Sequence, residues 1–273
     1  MVLESMLNPK KAADKPLHVL IISFFYSFIA IFFAYQLFPL QSSILAIALI
    51  TILFIPFFQR LFEIEEKKED LVAEGEIKDN IFTRHQQLII TFGAFFMGVV
   101  LAMSFAFVFF PNFQDVFYLQ TATLKSFATS STTGFAAGAE DFGKYVVNNT
   151  QVMILMFILS TMFGAGAIFI LAWNASVIAV YVGLVARSYA VNFGLVPGFL
   201  IGLPSGLLGI ALHGIPEIAA YFVAGVAGGI LSVGIIRENI MSKEFKQIFK
   251  DALVYMAIAE ILIVVAALLE AFI

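Results

Sequence analysis

Residues 88–110 read LIITFGAFFMGVVLAMSFAFVFF. No charge interrupts this run, and Thr91 and Ser104 are its only polar side chains. At about 1.5 Å of rise per residue, such a stretch crosses the ~30 Å hydrocarbon core of a bilayer as one helix. A helix that is apolar all round has no wet face, so it belongs in a membrane or a deep core. Three further blocks are as long and as apolar: Leu17–Phe38, Val152–Ala172 and Ala252–Ile273. Ser42–Phe58 is shorter and contains Pro56, but it pairs with the first block across Pro39 as a hairpin. Ile215–Ile236 qualifies if Glu217 lies near a membrane surface, and Ala175–Leu195 qualifies if Arg187 snorkels to one. Leu195–Leu212 is apolar but rich in Gly and Pro, which fits a broken or re-entrant segment covered by protein. The expected fold is an all-α polytopic transmembrane bundle of about seven crossings plus that re-entrant segment.

Composition agrees. The chain is 61% hydrophobic and 12% charged, against roughly 45–50% and 25% in ordinary soluble domains. A net charge of −4 gives no reason to expect nucleic-acid binding. The absence of cysteine excludes disulfides, thiolate metal sites and cysteine nucleophiles. Leu17–Phe38 is too long for a signal-peptide core and no small-residue cleavage site follows it, so it is expected to be a retained helix.

Basic residues set the expected orientation. Lys10, Lys11 and Lys15 precede the first block, and Arg60, Lys67, Lys68, Lys78 and Arg84 separate the second from the third. Arg237, Lys243, Lys246 and Lys250 precede the last. With all three groups in the cytoplasm, only Lys125, Lys144 and Arg187 of the 15 basic residues stay outside. The expected division is a cytoplasmic N-terminus (1–16), a transmembrane hairpin (17–60), a charged, solvated cytoplasmic connector (61–87) and a membrane domain (88–273). An external loop (111–149) is expected to hold a short interfacial helix around Phe113–Leu119 and an irregular stretch at Ser130–Gly138.

HExxH, GxSxG, Walker A and strand-associated GxGxxG motifs are absent. Ser205 lies upstream of His213, but Leu203 stands where an intramembrane serine hydrolase would carry glycine. No complete catalytic set is present, and neither enzymatic activity nor a cofactor is expected. Polar residues inside or beside the spans carry more information, because intramembrane polar groups are costly. They are Asn148, Asn149, Asn174, His213, Glu217 and Glu260. The asparagines also have helix-capping or helix-breaking readings. Gly214 and Pro216 suggest a break, with Glu217 in the first turn of a new helix and His213 folding back toward it. On one reading the pair satisfies only itself and local backbone. On the other, Asn148, Asn149 or Asn174 joins it in a polar site that binds an ion or a partner's polar group. If a metal is bound, His213 and Glu217 are its expected ligands. Gly164, Gly166, Gly225 and Gly228 are expected at close helix contacts.

The order of these features resembles the stage II sporulation protein M family of prokaryotic membrane proteins. An Asn148-Asn149 pair opens a helix, followed by Phe163-Gly164-Ala165-Gly166, Asn174, His213-Gly214-Ile215-Pro216-Glu217 and Ala224-Gly225-Val226-Ala227-Gly228. Leu212 and Ala175 stand where the family usually has Pro and Gly. The resemblance covers roughly Leu88 to Ile273 and implies a five-helix unit with an external loop, the hairpin Leu17–Phe58 being an addition. It implies a multi-pass scaffold or membrane-organising protein of the cell membrane, since the namesake looks like a scaffold for cell-wall hydrolases. A homodimer with membrane or cell-envelope protein partners is expected. The rival readings are a small transporter or channel using the polar site, and an intramembrane metal-dependent hydrolase, which would need more ligands than His213 and Glu217.

Overall fold

The computed structural model describes residues 15–73, 84–130 and 135–272. They form eight α-helices: α1 (Pro16–Leu37), α2 (Ser42–Ala73), α3 (Gln86–Phe109), α4 (Tyr118–Ser130), α5 (Phe135–Phe163), α6 (Ala167–Phe193), α7 (Leu195–Arg237) and α8 (Lys243–Phe272). Among the described residues no strand occurs. Seven of the helices are long and apolar enough to cross a membrane, all but α4. The protein is a multi-pass helical membrane protein.

Local chemistry explains the boundaries. Pro16 opens α1 at a position whose N–H has no intrahelical partner. Pro39 starts the short 3₁₀ turn that reverses the chain into α2. The two positive-φ glycines among the described residues, Gly164 (φ 66°) and Gly194 (φ 85°), make two further sharp reversals. At the first, Ser160 Oγ donates to the Gly164 carbonyl at 3.1 Å. A Cβ on Gly166 would run into the Leu159 carbonyl, so the turn closes tightly. This corrects the expected boundary at Asn174. Val152–Ala172 straddles a turn, and the spans on either side of it are Glu140–Phe163 and Ala167–Phe193. Asn174 lies inside α6, its Nδ2 donating to the Ile170 carbonyl at 2.9 Å.

The re-entrant segment is also corrected. Leu195–Arg237 is one 43-residue helix with Pro204 and Pro216 inside it. Gly and Pro suggested a break because each weakens an isolated helix. Here α6 grips the first half of α7: Gly198, Gly202 and Gly206 lie against Ala190, Ala186 and Val182, close enough for backbone contact. In a bilayer, unwinding would free several backbone groups with no water to receive them, which costs more than two proline defects. Farther on, every residue from Ala220 to Ser232 is buried. α7 is the hub, packed against α2, α3, α5, α6 and α8. Phenylalanines fill the space beside it: Phe58 stacks on Phe92 at 4.8 Å, and Phe92 on Phe222 at 6.0 Å.

Three smaller expectations change. Arg187 does not snorkel freely: its guanidinium donates to the Phe107 carbonyl at 2.5 Å, over the Phe107 ring at 4.2 Å. A cation there meets the free carbonyls at the end of α3. Phe113, Val116 and Phe117 are buried in the bundle rather than laid on its surface, and the stretch expected to be irregular is helical from Phe135 onward. The connector after α2 is not simply solvated, although residues 74–83 lie outside the described ones. Arg84 Nη1 donates to Asp251 Oδ2 at 2.5 Å, and Gln247 Nε2 to the same oxygen at 2.8 Å. His85 Nδ1 lies 2.7 Å from Glu65 Oε2, Lys68 Nζ donates to Glu65 at 2.8 Å, and Arg237 Nη1 to Glu66 at 3.2 Å. Glu66 and His85 are each only 1% exposed. Sequence reading saw mixed charge here and missed its partners, which come from α7 and α8.

Candidate functional site

A cavity of about 590 Å³ opens among α5, α6, α7 and α8, with Leu124 of α4 on its wall. Five of the six polar residues singled out from the sequence line it: Asn148, Asn149, Asn174, His213 and Glu217.

The central carboxylate belongs to α7. Because α7 is unbroken, His213, Glu217 and Tyr221 follow at four-residue spacing on one helical face. Tyr221, 1% exposed, donates its hydroxyl to Glu217 Oε1 at 2.9 Å. Asn149 of α5 is buried beside Glu217. Asn148 Nδ2 donates to Asn149 Oδ1 at 3.3 Å, so the amides form a short chain leading to the carboxylate. Both asparagines sit in mid-helix and cap nothing. Glu217 thus has the amides of α5, as well as its own helix, for neighbours.

Sequence reading missed six polar lining residues, among them Tyr181, Tyr221 and Glu270. Tyr221 was legible as the residue four after Glu217, once the helix was taken as continuous. Glu270 is the second carboxylate of the last apolar block, where Glu260 drew the attention. Glu260 instead accepts a hydrogen bond from Thr150 at 3.1 Å and does not line the cavity. Asp141, Lys144 and Tyr145 extend the lining along α5, with Lys144 bridged to Glu140 at 3.1 Å and to Asp141 at 3.6 Å.

The opposite end is closed by small residues. A Cβ on Gly228 would meet the Phe157 carbonyl of α5 at 2.5 Å, and one on Gly225 would meet Ala167 Cβ of α6 at 3.1 Å. Gly164 and Gly166 form the α5–α6 turn itself. With α7 buried from Ala220 onward, the cavity ends at Tyr221.

Among the described residues no group of three or more His, Asp or Glu side chains is placed to hold a metal ion. The arrangement offers three carboxylates, a lysine, an imidazole, three amides and three phenols in a space the size of a small-molecule site.

No curated protein and no solved structure matches the chain. A family model described as Stage II sporulation protein M matches residues 20–273. The match takes in most of α1 and all of α2, which the motifs alone had left outside. Covering nearly the whole sequence, it establishes that this chain belongs to the stage II sporulation protein M family.

Proposed function

We propose that the protein binds a small polar ligand in the α5–α8 cavity from one side of the cell membrane, as a small transporter does. The observation that carries this reading is a 590 Å³ polar cavity inside a membrane-spanning bundle, closed beyond Tyr221. Protein interiors are close-packed, and empty polar space among apolar helices is costly. With the N-terminus cytoplasmic, as the basic residues favour, the cavity opens outward. Closure at Gly225 and Gly228 then corresponds to one access state of an alternating cycle.

The family supports a second reading. In it the protein is a homodimeric membrane scaffold, and the cavity seats a polar group of a membrane or envelope partner.

Solvent access separates the two. The natural chain has no cysteine, so single cysteines at Asn148 and Asn174 can be placed without background. In sealed vesicles of known orientation, both are expected to react with a membrane-impermeant methanethiosulfonate from the outer side only. Protection from both sides would remove the open site and leave the scaffold reading.

A further inference from the structure

We infer that the ligand of this cavity carries an organic ammonium group, seated between Glu217 and Glu270 among tyrosine rings. The inference rests on the cavity being an open site, and it starts from charge. The lining holds Glu217, Glu270 and Asp141 against one lysine, Lys144. That lysine is already engaged by Asp141 and by Glu140 outside the cavity. Glu217 receives a hydrogen bond from Tyr221 and lies beside Asn149, both neutral. Among the described residues no Lys, Arg or His forms an ion pair with Glu217 or Glu270. Elsewhere in this chain buried carboxylates do have cations: Glu66 has Arg237 and Asp251 has Arg84. Two ionised carboxylates facing one cavity repel each other, the more so between low-dielectric walls, and only a cation between them relieves that repulsion. A cation entering the space supplies the missing partner, whereas an anion meets repulsion.

The rest of the lining selects the kind of cation. A bare metal ion needs several oxygen or nitrogen ligands at 2–2.6 Å, roughly six of them for calcium. No group of three or more ligating acids or histidines is assembled among the described residues. The cavity, at 590 Å³, is far larger than an ion. Tyr145, Tyr181 and Tyr221 line it from three different directions along α5, α6 and α7. Aromatic faces attract alkylammonium groups, which are large and weakly hydrated. The amides of Asn148 and Asn174 remain for a hydroxyl or a second polar group on the same ligand.

An ammonium group could arrive on a free solute or on a lipid headgroup. The test therefore uses purified protein in nanodiscs of phosphatidylglycerol, which carries no amine. Methylammonium, choline and putrescine are titrated against the thermal unfolding midpoint, with 3,3-dimethylbutan-1-ol as the neutral counterpart of choline. At least one ammonium probe is expected to raise the midpoint, and the neutral alcohol is not. Glu217→Gln and Glu270→Gln should each weaken that probe about tenfold or more. Nanodiscs of phosphatidylethanolamine that raise the midpoint by themselves, and abolish the response to the probe, identify a headgroup as the source. Three silent ammonium probes with no effect of phosphatidylethanolamine, or an equal response to the alcohol, would overturn the inference. Undiminished binding in both Gln variants would do the same. If Glu217→Gln does not fold, Glu270→Gln and the neutral alcohol still decide. Failure of the cysteines at 148 and 174 to label marks a different error, in the open cavity rather than in its ligand.

Discussion

Two polar clusters sit in this apolar protein, and they are built on opposite plans. The first joins α2 and the start of α3 to α7 and α8, through Arg84–Asp251, His85–Glu65 and Arg237–Glu66. Its charges are matched, and all its members but Arg237 are buried. The second surrounds Glu217 and Glu270, which have neutral neighbours and open space. Burying matched charges is an expensive way to join helices, but once made the joint resists the loss of either partner. Leaving carboxylates unmatched beside a cavity contributes nothing to such a joint. The first cluster is a clasp between elements distant in sequence, and the second is a receptacle.

This contrast can be broken by substitution. The largest effect is expected at the clasp. Asp251→Ala removes the carboxylate that Arg84 and Gln247 both address, and should cost about 3–5 kcal/mol. Chemical unfolding in detergent reads it, and a loss below ~1 kcal/mol would mean that the clasp holds little together. Next comes the closed end of the cavity. Gly228→Leu drives a side chain toward the Phe157 backbone and should cost roughly 1–3 kcal/mol or more. Gly143→Leu, with nothing within 4 Å of a Cβ there, is the matched control and should not destabilise the protein. An equal response from both glycines would contradict the packing described at Gly228. The smallest effect on stability is expected in the receptacle. Glu217→Gln keeps an oxygen for Tyr221, so its unfolding midpoint should stay near that of the unaltered protein while ligand binding falls. A loss as large as that of Asp251→Ala would make Glu217 part of a second clasp.

Much of this was legible before any coordinates. The spans could be read because hydrocarbon thickness imposes a length that no soluble helix must meet. The polar residues could be listed because a polar side chain in such a span is rarely there by accident. What stayed hidden depended on neighbours. Pro204 and Pro216 break helices in isolation, and only α6, gripping Gly198 and Gly202, shows why this one continues. The turn at Gly164 was passed over for Asn174, because positive φ is a backbone property that composition does not record. Glu260 and Glu270 look alike in sequence, and only the position of Thr150 assigns one of them to a structural bond. The clasp stayed hidden for the same reason. Asp251 and Arg84 lie 167 residues apart in sequence.

The length of α7 has a mechanical consequence. At ~1.5 Å per residue, its 43 residues make a rod of about 65 Å, roughly twice the thickness of the hydrocarbon core. One end is pinned to α6 at Gly198, and the other to α2 through Arg237 and Glu66. Glu217 stands between, one residue past Pro216, where the ladder of backbone hydrogen bonds lacks a rung and bending concentrates. From Glu217 to Arg237 is about 30 Å along the axis, so a tilt of a few degrees at that joint displaces the far end by one to two ångströms. The receptacle and the clasp are thus two stations on a single lever, with its elbow beside the carboxylate.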